Sequence, residues 1–530
     1  MTLIKRFITL IGICCLYPVV GRPGTFDIVP CPLSVERGVG AFRLKAGAVV
    51  SAPDSLLGAA RLFSEMAAPI LGGKLALESH AAAPALSLAG DSSLAREEYV
   101  LDVTRRGIEL RGGSVSAVLY GLQSLRQLAF ENRGTIPVVR IHDKPFFAYR
   151  GAMLDVCRHF FPVEDVKTYI DILSLHKINK FHWHLTDDQG WRIEIKKYPL
   201  LTQIGSRRAE TLVGRYDKNK EGVYDGKPYG GFYTQEEIRE IVSYAAERHI
   251  EVIPEIEMPG YGLAALTAYP WLGCTGGPYA VWTHWGISDD VYCAGKETTF
   301  EFIEKVLTEV LALFPSKLIH IGGDECPKGR WKACPLCQQR IREEGLKDEY
   351  QLQSYFIHRI ERWMHAHGRE IIGWDEILQG GISKTANIMS WNGSDPGIKA
   401  AQRGNPVIMT PKWYCYFDYS QTSDPERYEP LGNTRYVSVR QAYRLDPCDR
   451  LTLPDQKRIR GVQCNLWTEY IADIRHAQHM VLPRMAALAE TGWANDRKDY
   501  NDFVRRIPAL VAVYKAEGYN YAPYLFEGIE

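Results

Sequence analysis

From Phe146 onward the chain repeats one pattern: a short apolar run, a polar loop, then an amphipathic helix. Apolar runs fall at 149–154, 180–185, 251–256, 317–322, 370–374, 387–391, 406–410 and 461–466. Helical spacing appears around 163–177, 235–248, 299–314, 351–367 and 475–492. Strands covered by helices on both faces read as near-continuous apolar segments rather than as alternating ones. Eight such runs between residues 146 and 495 predict an α/β fold, a (β/α)8 TIM barrel with long loops after its strands. An open, doubly wound sheet is the alternative topology.

Ahead of the barrel, residues 22–145 read as a small α+β domain. Tyr99–Val103 and Ile108–Leu110, joined across Arg105-Arg106-Gly107, predict a hairpin. Val118, Leu119, Leu122, Leu125 and Leu128 predict a helix over 114–130. Residues 496–530 are expected to form a helical C-terminal extension. At the N-terminus, Lys5 and Arg6 precede the apolar run Phe7–Val20 and then Gly21, the layout of a signal peptide over 1–21. The run is too short for a comfortable membrane span, so an exported, soluble protein of the periplasm or exterior is expected. Gly12-Ile13 before Cys14 makes a poor lipobox, which leaves lipoprotein anchoring the lesser alternative. Lys plus Arg equals Asp plus Glu, 63 each, so no net field favours nucleic acid or an anionic membrane. Oligomeric state is not legible.

Polar and aromatic residues gather just past the expected strand ends, on the rim where a barrel keeps its chemistry. Arg158 follows strand one, Asp187 and Asp188 strand two, and Glu255 and Glu257 close strand three. His-Ile-Gly-Gly-Asp-Glu-Cys-Pro (320–327) ends strand four and sets Asp324 and Glu325 side by side at its mouth. Trp374, Trp391, Tyr416 with Asp418, and Trp467 with Glu469 follow strands five to eight. Any one of these is ordinarily structural; eight strand ends alike are not. Indole faces cover the apolar face of a pyranose, and charged groups bond its hydroxyls. Glycoside cleavage needs an acid for the leaving oxygen, a role that suits Glu325. Asp324, being its neighbour in sequence, cannot easily sit across the sugar as a partner carboxylate, which favours help from the substrate itself.

Arg158-His159-Phe160-Phe161, the run His182 to Arg192, Pro254 to Gly260, Gly322-Gly323-Asp324-Glu325, Trp374-Asp375-Glu376 and Leu466 to Glu469 resemble glycoside hydrolase family 20, the β-N-acetylhexosaminidases. The resemblance covers about 146–495, and residues 26–145 resemble that family's small N-terminal domain. It implies exo-acting, retaining removal of terminal GlcNAc or GalNAc from glycans, with the 2-acetamido oxygen as nucleophile and an oxazolinium intermediate. No cofactor or metal is implied. Asp324 would orient the acetamido group and Glu325 would serve as acid, then base. Trp374, Trp391 and Trp467 would wall the acetamido pocket, and Tyr416 would bond its carbonyl. Arg158, Asp418 and Glu469 would hold ring hydroxyls, and Asp187 would support Glu325. The family commonly carries His after Met-Pro-Gly; here that position is Tyr261, which cannot shuttle a proton near neutrality.

Two other readings stand beside this one. A metal-dependent hydrolase could use His182 and His184, and a non-catalytic glycan-binding barrel could keep the sugar box without turnover. Of the remaining cysteines, Cys274 and Cys293 bracket a Gly- and Trp-rich loop that a disulfide would close in an oxidising compartment, and its Trp282 and Trp285 could pack that loop or face a leaving group. Cys334 and Cys337 form one Cys-x-x-Cys; a structural zinc site needs about two more ligands, so a local disulfide or buried free thiols are expected there. Arg150 is expected to be structural.

Overall fold

The computed structural model describes residues 27–131, 133–217 and 220–530; the expected signal peptide at 1–21 lies outside them. Eight parallel strands close into a barrel in chain order. They are Tyr149–Asp155, Lys180–His184, Glu251–Glu255, Leu318–His320, Glu370–Trp374, Asn387–Ser390, Val407–Met409 and Ile459–Leu466. Strand eight meets strand one from Gly461 opposite Tyr149 through Leu466 opposite Leu154. The open sheet is therefore excluded.

Alternate strand residues point out to the helices or into the barrel. Phe181 and Trp183 of strand two join the outer hydrophobic core, while Tyr149, Ile253, Ile372, Met389 and Ile408 fill the interior with Leu318 and Trp374. His182, His184, Glu255 and His320 are also fully buried.

Helices fall at Val163–Leu175, Gln235–Glu247, Glu297–Leu313 and Glu349–Ala366, close to the expected spans. Thr234 and Glu237 cap the second of these reciprocally. The single helix expected over 475–492 is two, Ile474–Val481 and Arg484–Ala494, because Pro483 lacks an N–H and bars a helical residue before it. Helix Ser394–Arg403 is not among the expected helices; it buries Gly397, Ile398, Ala400 and Ala401. Among the described residues no helix is long and apolar enough to cross a membrane.

The first domain is a seven-stranded sheet in the order 34–43, 135–143, 99–103, 108–112, 86–90, 49–51, 76–78. Helices Leu57–Leu71 and Val115–Glu131 pack with it, and the expected hairpin is present as an antiparallel pair. Its core takes in Trp493 and Ala494 from the barrel's side. The C-terminal helix Tyr500–Ala516 buries Phe503, Ile507, Leu510 and Tyr514 in the main core, so it is part of the barrel's packing.

Buried polar groups seal the joint between domains. Arg150 pairs with Glu97 at 3.1 Å and receives the Tyr120 hydroxyl as acceptor at 3.0 Å, a structural role as expected. Lys177, in a left-handed backbone conformation after the first barrel helix, sends its ammonium to Asp143 at 3.3 Å and to Ser124 at 2.8 Å. Both charges are fully buried. Removing one member of such a pair strands the other charge in a low dielectric, at a cost of about 3–5 kcal/mol. Lys177→Met is expected to lose that much in urea unfolding; a loss below about 1 kcal/mol would show that the pair is not what joins the domains.

Candidate active site

The turn after strand four places the two central carboxylates. Gly322 has φ +66°, and a Cβ there would lie 1.6 Å from Glu257 Oε2. Only glycine lets the chain pass so close to Glu257 in that conformation. Glu325 itself has φ +39° and Tyr261 φ +50°, a left-handed region that non-glycine residues rarely occupy. Strain of this kind persists only where packing over-determines it, and it concentrates at functional sites. The Tyr261 hydroxyl donates to Glu325 Oε2, joining the loop after strand three to the loop after strand four.

Ten of the eleven site residues expected from sequence line one cavity of about 230 Å3: Arg158, Asp187, Tyr261, Asp324, Glu325, Trp391, Tyr416, Asp418, Trp467 and Glu469. Trp374 is not among them. It lies beneath, its ring 5.9 Å from Trp467 and its Nε1 donating to Glu255 Oε1 at 2.9 Å. Five further residues share the lining: Glu257, Lys412, Tyr419, Asn433 and Arg435. Trp285 packs in the loop after strand three, near His159 and Arg208, and does not line the cavity.

Aromatic rings form one wall. Trp391 and Tyr416 stack at 5.9 Å with a 13° interplanar angle, and Tyr416 continues to Trp467 at 6.3 Å. Trp391 is held by Glu376, which accepts from its Nε1 at 2.9 Å. Opposite charges organise the other side. Arg158 contacts Asp187 at 3.0 Å and Asp155 at 3.3 Å, and its Nε donates to Gln189 at 3.0 Å. Burial works against its charge, but Asp187 and Asp155 outweigh it and hold the guanidinium firmly protonated.

Behind Asp187 runs a chain of buried ionisable groups. His184 Nε2 lies 2.9 Å from Asp187 Oδ2, and its Nδ1 bonds Glu255. His182 and His320 approach the same Glu255 at 3.0 and 2.8 Å. Burial alone would raise Glu255; the three imidazoles reverse that and hold its carboxyl well below the usual range. Burial lowers His184 in its turn, yet Glu255 and Asp187 carry it up to about 10. His182 and His184 are thus spoken for inside the barrel, and neither lines the cavity.

The cavity's own acids are pushed the other way. Burial, then Glu376 and Glu325, raises Asp324 well above the ordinary carboxylate value. Burial and Glu469 raise Asp418, and burial and Asp324 raise Glu257. Burial and Asp375 bring Glu376 up to about 7. Oδ1 of Asp324 and of Asp418 has no hydrogen-bond partner among the described residues. Crowded carboxyls with unmet acceptors, beside an aromatic wall, suit a neutral ligand rich in O–H and N–H donors.

Comparison with known proteins agrees with this geometry. The glycosyl hydrolase family 20 catalytic domain matches residues 147–496, and that family's domain 2 matches residues 25–144. The chain is 44% identical to a beta-hexosaminidase of Porphyromonas gingivalis over 93% of its own length and 64% of that protein's. It is 38% identical to a beta-hexosaminidase of Vibrio furnissii, over 88% of this chain and 76% of the other. The solved GH20 exo β-N-acetylglucosaminidase of Vibrio harveyi, in complex with N-acetylglucosamine, superposes with a TM-score of 0.84 at 33% identity, covering 93% of this chain and 78% of that one. A parallel barrel with an acidic, aromatic-walled mouth is the architecture of a glycoside hydrolase. This chain belongs to glycosyl hydrolase family 20. It spans just under two thirds of the Porphyromonas relative's length.

Protonation of these acids should be visible in stability. Glu376 keeps its proton in the folded state up to about 7, whereas the unfolded chain releases it near 4.5. A raised carboxyl of this kind contributes stability that is whole below about 4.5 and lost as pH climbs through 7. Asp324, Asp418 and Glu257 act in the same direction. The melting temperature of the ligand-free protein is expected to fall between pH 5 and pH 8, and Glu376→Gln is expected to flatten that fall. Equal slopes for both proteins would refute the assignment.

Proposed function

We propose that the protein is an exo-acting β-N-acetylhexosaminidase that removes terminal β-linked GlcNAc or GalNAc from glycans with retention of configuration. The observation that carries this reading is the Asp324–Glu325 pair, set beside the Trp391–Tyr416–Trp467 wall with an unmatched acceptor on Asp324. Because Asp324 is the sequence neighbour of the acid Glu325, this reading gives the nucleophile's role to the sugar's own acetamido oxygen, which attacks the anomeric carbon. Its attack is intramolecular, and holding the group in place supplies several kcal/mol of the barrier.

In this reading Asp324 accepts the acetamido N–H and stabilises the positive charge of the oxazolinium ring as it forms. Trp391, Trp467 and Tyr416 box the acetamido group under the sugar, with Trp374 as the floor beneath Trp467. Glu325 protonates the leaving oxygen and then takes a proton from the incoming water. Arg158, Asp418 and Glu469 bond ring hydroxyls; Asp187, expected to support Glu325, instead contacts Arg158 at 3.0 Å and acts by orienting it. A cavity of about 230 Å3 with this wall fits the removal of one terminal sugar. The N-terminal charged and apolar run supports export to the periplasm or exterior, with cleavage near Gly21.

Hydrolysis of nitrophenyl β-N-acetylglucosaminide by the purified protein tests the proposal directly. Glu325→Gln and Asp324→Asn are each expected to lower kcat/KM by about 10²–10⁴-fold. The matching glucoside, with only a hydroxyl at C2, should be turned over at least as much more slowly. Comparable rates on both glycosides would exclude the acetamido nucleophile.

Tyr261 generates a separate expectation. Burial, then Glu325, raises its hydroxyl well above the usual range, so it remains a hydrogen-bond donor throughout neutral pH. Tyr261→His would place a group of ordinary pKa near 6.5 against Glu325 and add an ionisation to the pH profile of kcat/KM. A profile identical to that of the parent would remove Tyr261 from the tuning of the acid.

A further inference from the structure

Four cysteine sulfurs converge outside the sugar cavity. Cys274 and Cys293 come from the loop after strand three, Cys334 and Cys337 from the segment after strand four, and none lines the cavity. The sulfur atoms lie within 4.8 Å of one another. Cys293 Sγ is 3.8 Å from Cys334 Sγ and 3.6 Å from Cys337 Sγ, and Cys337 is 3.8 Å from Cys274. Zinc bonds thiolate sulfur at about 2.3 Å, and a tetrahedron of that radius has edges of roughly 3.8 Å. These three separations lie close to that edge, and the other three stay within 4.8 Å.

We propose that Cys274, Cys293, Cys334 and Cys337 form a tetrahedral, all-thiolate zinc site that clamps the loop after strand three to the loop after strand four. The expectation of a lone Cys-x-x-Cys is corrected at the same time. Its two missing partners lie some forty and sixty residues upstream and arrive only through the fold.

Three further features suit metal-bound thiolates. Cys334 is the N-cap and Cys337 lies in the first turn of the nine-residue helix Pro335–Glu343, where the helix dipole favours thiolate. The Gly295 backbone N–H bonds the Cys293 sulfur. Cys293 and Cys337 are fully buried and Cys334 nearly so, while Cys274 is partly exposed at the edge of the cluster. Binding balances as Zn²⁺ displacing four thiol protons, with no change of oxidation state.

Two disulfides are the competing chemistry, and an oxidising compartment would favour them. The arrangement argues against pairing. Cys293 stands equally near Cys334 and Cys337, and Cys337 equally near Cys293 and Cys274, so the sulfurs surround a point rather than forming two couples.

The clamp would act on what the two loops carry. One bears Tyr261 and the other Glu325, the residues in contact across the mouth. Protein contacts already run alongside: Trp331 Nε1 donates to the Tyr292 carbonyl at 2.9 Å, and Gly295 lies so close to Leu336 that a Cβ would sit 2.3 Å from its carbonyl carbon.

The full-length protein, purified without chelator from zinc-supplemented culture, should contain about one zinc per chain by mass spectrometry of the metal. Titration with an organomercurial should release that zinc as about four thiols react. Cys334→Ser with Cys337→Ser should cut zinc below about a tenth per chain, lower Tm, and speed hydrogen exchange in 262–296 and 324–340. If that variant does not fold, the parent's metal content and thiol count decide alone. Two disulfides found by peptide mapping, four free thiols without metal, or iron in place of zinc would each overturn the proposal.

Discussion

One buried carboxylate, Glu255, holds the floor of the site. It carries a negative charge inside the barrel because His182, His184 and His320 surround it, and it takes the indole N–H of Trp374 as well. A charge so enclosed is tolerable only while its partners stay in place. Through His184 it is tied to Asp187, and through Asp187 to Arg158 at the cavity wall. Apolar residues fill much of the rest of the interior, with Gln463 and Asn465 of strand eight bonded to His182 and Thr410 among them. Under the mouth the Glu255 cluster orients Arg158, which shares the cavity lining with Lys412 and Arg435.

Above that floor the site gains its character from crowding. Asp324, Glu257, Glu376, Asp418 and Glu469 all have raised carboxyls, chiefly through burial. Aromatic rings deny them water on one side. A neutral, hydroxyl-rich guest satisfies such acceptors without adding charge, and a developing cation is stabilised by them as it forms.

Much of this was legible in the residues. Parallel strands buried on both faces announce themselves as apolar runs, and all eight lie within about two residues of their expected bounds. Residues at strand ends were equally readable, since a barrel projects them to one rim, and ten of the eleven line one cavity. Trp374 shows the limit: as the last residue of its strand it points inward to Glu255, one layer below the wall. Lys412 opens the helix Lys412–Cys415, and Asn433 and Arg435 lie in the strand Asn433–Tyr436, both after strand seven and too short to mark a period. Pro483 should have divided the late helix on its own evidence. The four cysteines could not have been grouped, because their spacing in the chain carries no trace of which loops meet.

The seam of the barrel has a consequence for how the molecule comes into being. Strand one pairs with strand eight, roughly three hundred residues later, and the final helix completes the core that both lean on. Until strand eight has emerged, the ring lacks its last stave and Tyr149 through Leu154 have no neighbour on one side. Closure over so long a separation is slow. A nascent chain of this design keeps its barrel an open ribbon until residues 459–466 are made.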